Sequence, residues 1–343
     1  MLRNFMQNFW EKLPKPIMAL APMANVTDAA FRQIIAKYSG PTACPNGFKT
    51  GRVMWTEFVS ADGLMSRGRE ALLHDLKYSE IERPIVAQLF GANLEKMAGA
   101  AKLVAELGFD GLDINMGCPD KTIEKQNAGA KLIQNPQLAR EIIRAAKRGV
   151  KAAGREIPIS VKTRLGYSKD ELETWLPELL AEDLAAITIH ARTRKEMSKV
   201  PARWERIKRA VEIRNELKSK TLILGNGDVE NLEQARKKVE ETGCDGVMFG
   251  RVIFGQPWKL ANPAELYAKW GGSEPSVEIR LQIMLEHTKL FEELLGGIKS
   301  FSIMKKHFKA YLAGFPDVSE LRAKLMVTTN ASEVETLVKE FLL

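Results

Sequence analysis

Three cysteines in 343 residues, at positions 44, 118 and 244, are too few, too scattered and odd in number for a disulfide framework. No C-x-x-C spacing occurs, so no cysteine-based metal site is expected. No apolar run approaches the ~20 residues that span a bilayer. The stretch from Met1 to Pro16 carries Phe5, Phe9 and Trp10 but lacks the unbroken apolar core and small-residue cleavage site of a secretion signal. A reducing, cytoplasmic setting without membrane contact is the expectation. Low-complexity tracts and short repeats are missing as well, which argues against disordered and solenoid classes.

The length exceeds the usual ceiling for one compact core, so a large domain plus a small one is expected. A composition of 45% hydrophobic and 27% charged residues is ordinary for an α/β protein. A net charge of +8 and a pI near 9.2 favour an anionic partner without identifying one.

Short apolar runs recur, each followed by a polar loop and a stretch of helical periodicity. They are Ile17 to Ala21, Trp55 to Val59, Ile85 to Leu89, Gly111 to Asn115, Ile159 to Lys162, Ala186 to His190, Leu222 to Gly225 and Gly246 to Phe249. Helices are expected at Asp28 to Lys37, Leu94 to Leu107, Pro136 to Ala153, Glu171 to Glu182, Trp204 to Leu217 and Leu232 to Thr242. Eight such units over about 250 residues fit an α/β fold of the (β/α)8 TIM-barrel type. A doubly wound sheet would show a Gly-rich turn after its first strand, and Ala21-Pro22-Met23-Ala24 has none. Pro41 to Met54 reads as a long inserted loop. From Ser276 onward only helices are expected, at Val277 to Leu295, Ser300 to Leu312, Ser319 to Met326 and Ser332 to Leu342. The expected division is a barrel over 1–268 and a small helical bundle over 269–343, joined through Lys269 to Glu274.

In a barrel the C-terminal strand ends converge on one mouth. The run Gly111-Leu112-Asp113-Ile114-Asn115-Met116-Gly117-Cys118-Pro119 sets a single thiol just past the fourth strand, so Cys118 is a candidate catalytic group. The other strand ends carry Pro22-Met23, Glu57, Gln88, Lys162 with Arg164, His190 with Arg192, Asn226-Gly227-Asp228 and Gly250-Arg251. A lysine ending a buried strand either meets an anion or polarisable acceptor or lies solvated at a frayed end. His190 is either a ligand group or a hydrogen-bonded core imidazole. Gly225 to Asp228 and Gly250-Arg251 follow the seventh and eighth strands, where barrels build phosphate sites from backbone N–H groups and an arginine. Their plainer role is a turn and a helix cap. Cys244 precedes the eighth strand at the opposite face and reads as a small buried apolar residue.

Together these residues resemble the tRNA-dihydrouridine synthases. The matching blocks include Ala21-Pro22-Met23 with Val26-Thr27-Asp28, Thr56 to Ala61, Gln88-Leu89-Phe90-Gly91, Asp113 to Pro119 and Ala128-Gly129-Ala130. Val161 to Gly166, His190-Ala191-Arg192-Thr193-Arg194, Gly225 to Asp228, Phe249-Gly250-Arg251 and, in the tail, Met304-Lys305-Lys306-His307 through Leu312 continue them. The resemblance implies an FMN-holding barrel, a helical domain that helps to grip tRNA, and NADPH as electron donor, in a protein expected to act as a monomer without metal. Pro22, Met23 and Ala24 would pack on the flavin, with Gln88, Lys162 and His190 at its polar edge. Asn226, Gly227, Asp228, Gly250 and Arg251 would hold the ribityl phosphate. Cys118 would deliver a proton to C5 of the uracil, and therefore needs an undepressed pKa. Asn115 would lie on the substrate side. Lys121, Lys125, Arg164, Arg192, Arg194, Lys305, Lys306 and Lys309 would contact RNA phosphates.

The chain departs from the family pattern in three places. Asp120-Lys121-Thr122 stands where members commonly carry a second lysine, Ala191 replaces a frequent glycine, and the insertion holding Phe48, Lys49, Arg52 and Trp55 either touches RNA or closes a loop. The rival readings are an FMN oxidoreductase acting on free pyrimidines and a non-catalytic tRNA-binding module.

Overall fold

The computed structural model describes residues 8–39, 52–272 and 274–343. Eight parallel strands, β1 (Ile17–Leu20), β2 (Arg52–Ser60), β3 (Ile85–Phe90), β4 (Gly111–Asn115), β5 (Ile159–Arg164), β6 (Ala186–His190), β7 (Leu222–Asn226) and β8 (Gly246–Phe249), close into a barrel in chain order. Pairing of Ile17 with Gly246 through Leu20 with Phe249 makes the closure. The expected TIM barrel is therefore the observed architecture.

Alternation along the strands sorts side chains into two apolar clusters. Ile17, Ala19, Val53, Trp55, Val86, Ala186, Leu224 and Met248 point inward. Met18, Leu20, Met54, Ile85, Ala87, Leu112, Ile159, Ile187, Ile223 and Val247 pack against the helical shell. Phe9 and Trp10, on a 3-10 turn capped by Asn8, join the inner set, with the Trp10 and Trp55 ring centroids 5.9 Å apart. Burying each of these large side chains contributes about 1.5–3 kcal/mol. The same inward register, continued toward the C-terminal ends, brings Gln88, Asn115, Lys162, His190 and Asn226 to one mouth. Asn115 lies beside Lys162, and His190 beside both Arg164 and Asn226.

The shell helices are α1 (Ala29–Ser39), α2 (Leu94–Glu106), α3 (Pro136–Ala152), α4 (Leu172–Leu180), α5 (Trp204–Glu216) and α6 (Leu232–Thr242). Asn93, Asn135 and Asn231 cap α2, α3 and α6 by accepting from backbone amides of their first turns. After β8 come α7 (Pro263–Trp270), α8 (Val277–Leu295), α9 (Ser302–Tyr311), α10 (Ser319–Leu325) and α11 (Ala331–Leu342). The tail docks on α1: Lys37 and Tyr38 each contact Glu286 at 2.6 Å, and Phe31 stacks on His287 with centroids 4.9 Å apart.

Two local expectations change. Arg52 to Met54 are strand rather than loop, because Arg52 and Val53 pair with Met18 and Ala19 while Met54 pairs with Ile85. Trp55 is fully buried inside the barrel, so it cannot touch RNA. Phe48, Lys49 and Cys44 lie outside the described residues. The stretch expected as linker begins inside α7, whose last turn holds Lys269 and Trp270 and which ends at Gly271 in the left-handed region. The boundary drawn at 268/269 thus falls within that helix. Cys244 is 3% exposed beside the N-terminal end of β8, a packed apolar residue.

Candidate active site

The mouth contains a cavity of about 650 Å³. Its walls include Pro22, Met23, Lys162, Arg164, His190, Arg192, Asn226, Gly227, Asp228, Met248, Gly250 and Arg251, together with Met197 and Ser198 from the loop after β6. Pro22 and Met23 are half-buried against it. Ala24 is exposed and does not line it, and Gln88 lies fully buried beneath the mouth.

Gln88 belongs to a polar layer under the cavity floor. Its amide donates to Asp113 Oδ2 at 2.6 Å, Ser160 donates to Asp113 Oδ1 at 2.5 Å, and Asn115 Nδ2 donates to Gln88 Oε1 at 3.0 Å. Burial pushes the Asp113 carboxyl up to about 6, against the pull of the Ser160 and Gln88 hydrogen bonds. Asn115, only 6% exposed, turns its side-chain oxygen to the amides of Gly117 and Cys118, at 3.1 and 2.9 Å. The asparagine that the sequence reading placed on the substrate side is thus bonded inward and shapes the turn carrying the thiol.

Cys118 sits on that turn, partly exposed, with no disulfide partner among the described residues. Its carbonyl accepts from the Ala130 amide at 2.9 Å. Gly129, at φ 62°, packs so closely that a Cβ there would lie 2.8 Å from the Cys118 oxygen. Burial pushes the Cys118 thiol up, countered only in part by a backbone hydrogen bond at Asp120 and by the charges of Arg164 and Lys162. The thiol is protonated at neutral pH, which suits a proton donor and not a nucleophilic thiolate.

Lys162 reaches Asn226 Oδ1 at 3.2 Å, and Asn226 Nδ2 donates to the Met248 carbonyl at 2.8 Å. Burial, with the Arg164 charge adding to it, pulls the Lys162 ammonium down to about 8. Arg192 Nη1 lies 3.0 Å from His190 Nε2. A guanidinium can only donate, so Nε2 accepts and the imidazole proton sits on Nδ1. Burial, with Lys162, Arg164, Arg192 and Arg251 nearby, drives the His190 pKa far down, so the ring is neutral.

Asp228 ion-pairs with Arg192 and, at 3.4 Å, with Arg251. The one carboxylate is outnumbered by the two guanidinium groups, and the Arg251 side chain remains 72% exposed. Gly227, at φ 131°, has no room for a side chain: a Cβ would stand 2.8 Å from that of Ala202 and 3.3 Å from the His190 ring. At Gly250 the space a Cβ would take is open. An excess of positive charge, glycine backbone bordering the cavity and apolar walls at Met23, Met248 and Val252 fit a phosphate-bearing planar cofactor.

The arginines expected on RNA have partners within the chain. Arg164 donates to the Gly117 carbonyl at 2.7 Å and to those of Thr193 and Met197 at 3.2 Å, tying the loop after β4 to the loop after β6. Arg192 also donates to the Val200 carbonyl at 2.6 Å. Arg194 grips Glu124 and lies over the Tyr167 ring, 5.2 Å from its centroid. Lys121, Lys125, Lys306 and Lys309 are exposed and Lys305 is half-exposed. Sequence reasoning missed Met197, Ser198, Met248 and Ser160. The inward alternation of β5 and β8 signals Ser160 and Met248, whereas nothing periodic marks the loop holding Met197.

Fold and site define a class: a (β/α)8 barrel with a basic, glycine-bordered cavity at its mouth and a cysteine on the turn after β4. Comparison with known proteins narrows this. The model of the family described as "Dihydrouridine synthase (Dus)" matches residues 19–343. A protein of Staphylococcus aureus (strain COL) named "Probable tRNA-dihydrouridine synthase" is 38% identical over 98% of this chain and 96% of its own length. A protein of Bacillus subtilis (strain 168), "Probable tRNA-dihydrouridine synthase 2", is 37% identical over 98% of this chain and 97% of its own. The chain belongs to the dihydrouridine synthase family. Members are flavin-dependent oxidoreductases, so the cofactor is a flavin. Among solved structures, a 2-naphthoyl-CoA reductase complex shares the barrel fold, with TM-score 0.50 and 11% identity over 74% of this chain and 50% of that one. No helix among the described residues is long and apolar enough to cross a membrane.

Proposed function

We propose that this chain reduces the C5–C6 double bond of specific uridines in tRNA, with FMN in the mouth cavity, NADPH as reductant and Cys118 as proton donor. The observation that carries this reading is the placement of Cys118 on a turn that Asn115 holds through the Gly117 and Cys118 amides, and that Arg164 ties to a basic, glycine-bordered cavity. FMN, when bound, supplies the hydride for uracil C6. Asn226, Gly227, Gly250 and Arg251 hold its phosphate, Pro22 and Met23 pack on its ring, and Lys162 stabilises negative charge at the ring's polar edge. His190, neutral and fixed by Arg192, orients that edge by hydrogen bonding. Cys118 keeps its proton until charge builds toward uracil C5, then transfers it there.

A uridine inside folded tRNA must leave its stack to reach the mouth. The exposed Lys121 and Lys125 beside Cys118, and Lys306 and Lys309 on α9, supply phosphate contacts around it. An enzyme of free pyrimidines has no use for these two groups of exposed lysines. Arg164, Arg192 and Arg194 serve instead to hold the mouth loops together. The test is site-resolved dihydrouridine mapping of tRNA from cells with and without this gene. One or a few positions lose dihydrouridine if the reading is right, and an unchanged map refutes it.

A further inference from the structure

We infer that Lys299 is a positioning residue, which seats the helical tail against the flavin-side loop after β1 through a buried ion pair with Glu57. The inference rests on the functional reading above and adds to it how the tail and the cavity are kept in register. Lys299 lies in the turn between α8 and α9, and Glu57 in the C-terminal half of β2. Their side chains are 13% and 6% exposed. One Glu57 oxygen meets the Lys299 ammonium, and the other accepts from the Asn25 amide at 2.5 Å. Asn25, held at φ 52°, follows directly on Pro22, Met23 and Ala24. Asp75, on the 3-10 turn His74–Leu76, gives Lys299 a second anion at 2.7 Å.

Burial alone pulls a lysine ammonium down, but Glu57 and Asp75 more than offset it, and Lys299 stays charged. As a source of stability such a pair is poor, because desolvation consumes most of its attraction and an apolar contact of equal volume would hold as well. What it adds is a single seat: one ammonium fits between two carboxylates on separate barrel elements, and one of those carboxylates also fixes the loop that walls the cavity at Met23. The tail's position is thereby passed to the cavity wall through Glu57, without Lys299 approaching the reacting atoms.

The experiment compares wild type with Lys299→Met, Lys299→Arg and Glu57→Gln as full-length flavin-loaded proteins. Glu57→Gln keeps an acceptor for Asn25 while removing the charge. Three rates or affinities are read: flavin reduction by NADPH without tRNA, tRNA affinity, and reoxidation of the reduced flavin by unmodified tRNA. The visible absorption band of the bound flavin is read as well. Expected for Lys299→Met and Glu57→Gln are flavin reduction and tRNA affinity within about twofold of wild type, and reoxidation by tRNA slowed by about tenfold or more. The flavin band shifts in both variants, and Lys299→Arg restores the rate and the band. Reoxidation at the wild-type rate in Lys299→Met overturns the inference, as does a loss matched in tRNA affinity or in flavin reduction. Should Lys299→Met fail to fold, Glu57→Gln decides by the same split. Wild-type protein that reduces its flavin yet leaves tRNA untouched refutes the functional reading instead, and the band then decides the loop coupling by itself.

Discussion

Replacing Asn115 by alanine probes whether the turn bearing Cys118 is held as described. The side chain makes three hydrogen bonds: to Gln88 Oε1 and from the amides of Gly117 and Cys118. At about 1 kcal/mol each, with a further ~1 kcal/mol for leaving Gln88 Oε1 unpaired in a buried layer, the expected loss is about 3–4 kcal/mol. A shift of about 1 Å in the Cys118 sulfur costs on the order of 100-fold in rate. The assay pairs the urea midpoint of the flavin-loaded protein with single-turnover reoxidation of its flavin by tRNA. Asn115→Asp keeps oxygen acceptors for both amides, so it should preserve the rate better than alanine even though it buries a charge and loses the donor to Gln88. An alanine variant within about 0.5 kcal/mol and twofold of wild type would refute the reasoning, since the deleted contacts would then carry neither stability nor geometry.

Two further outcomes follow from the cavity. Gly227→Ala should weaken FMN binding by about tenfold or more, because the added Cβ meets Ala202 and the left-handed backbone must strain by about 1–3 kcal/mol; unchanged affinity in a fluorescence titration would remove Gly227 from the phosphate site. In the flavin-free chain burial holds Lys162 near 8, so its charge costs stability below that pH and the cost fades toward 10.5. The carbonyl edge of a bound flavin would accept from the ammonium and so favour it, and the FMN dissociation constant should therefore rise by up to about tenfold per pH unit above 8, a slope that Lys162→Met abolishes. A dissociation constant flat from about pH 7 to 10 in the wild type would contradict this.

The strands were legible because inward and outward residues alternate in type, and their ends identified the mouth without any contact information. The beginning of β2 was not, since Arg52 directly follows a polar Gly/Pro/Lys stretch and gains its strand pairing only from β1. Helix α7 carries readable signals: Asn262 and Pro263 at its start and Gly271 at its end. Asn115 and the mouth arginines show the firmer limit. Sequence places Arg194 and Arg192 at the sixth strand end, but their partners Glu124 and Asp228 lie 70 and 36 residues away. Which charges face inward and which face RNA therefore depends on packing that no local spacing encodes. The Lys299 to Glu57 contact, 242 residues apart in the chain, is a further case.

The most direct test of the central claim is single-turnover reduction of tRNA uridine by Cys118→Ala. If the proposed function is right, the variant should bind FMN and accept electrons from NADPH within about twofold of the wild-type values, because Cys118 does not line the cavity. Its conversion of uridine to dihydrouridine should fall by about 100-fold or more, with the proton for C5 left to solvent. Dihydrouridine formed by Cys118→Ala at the wild-type rate would contradict the account.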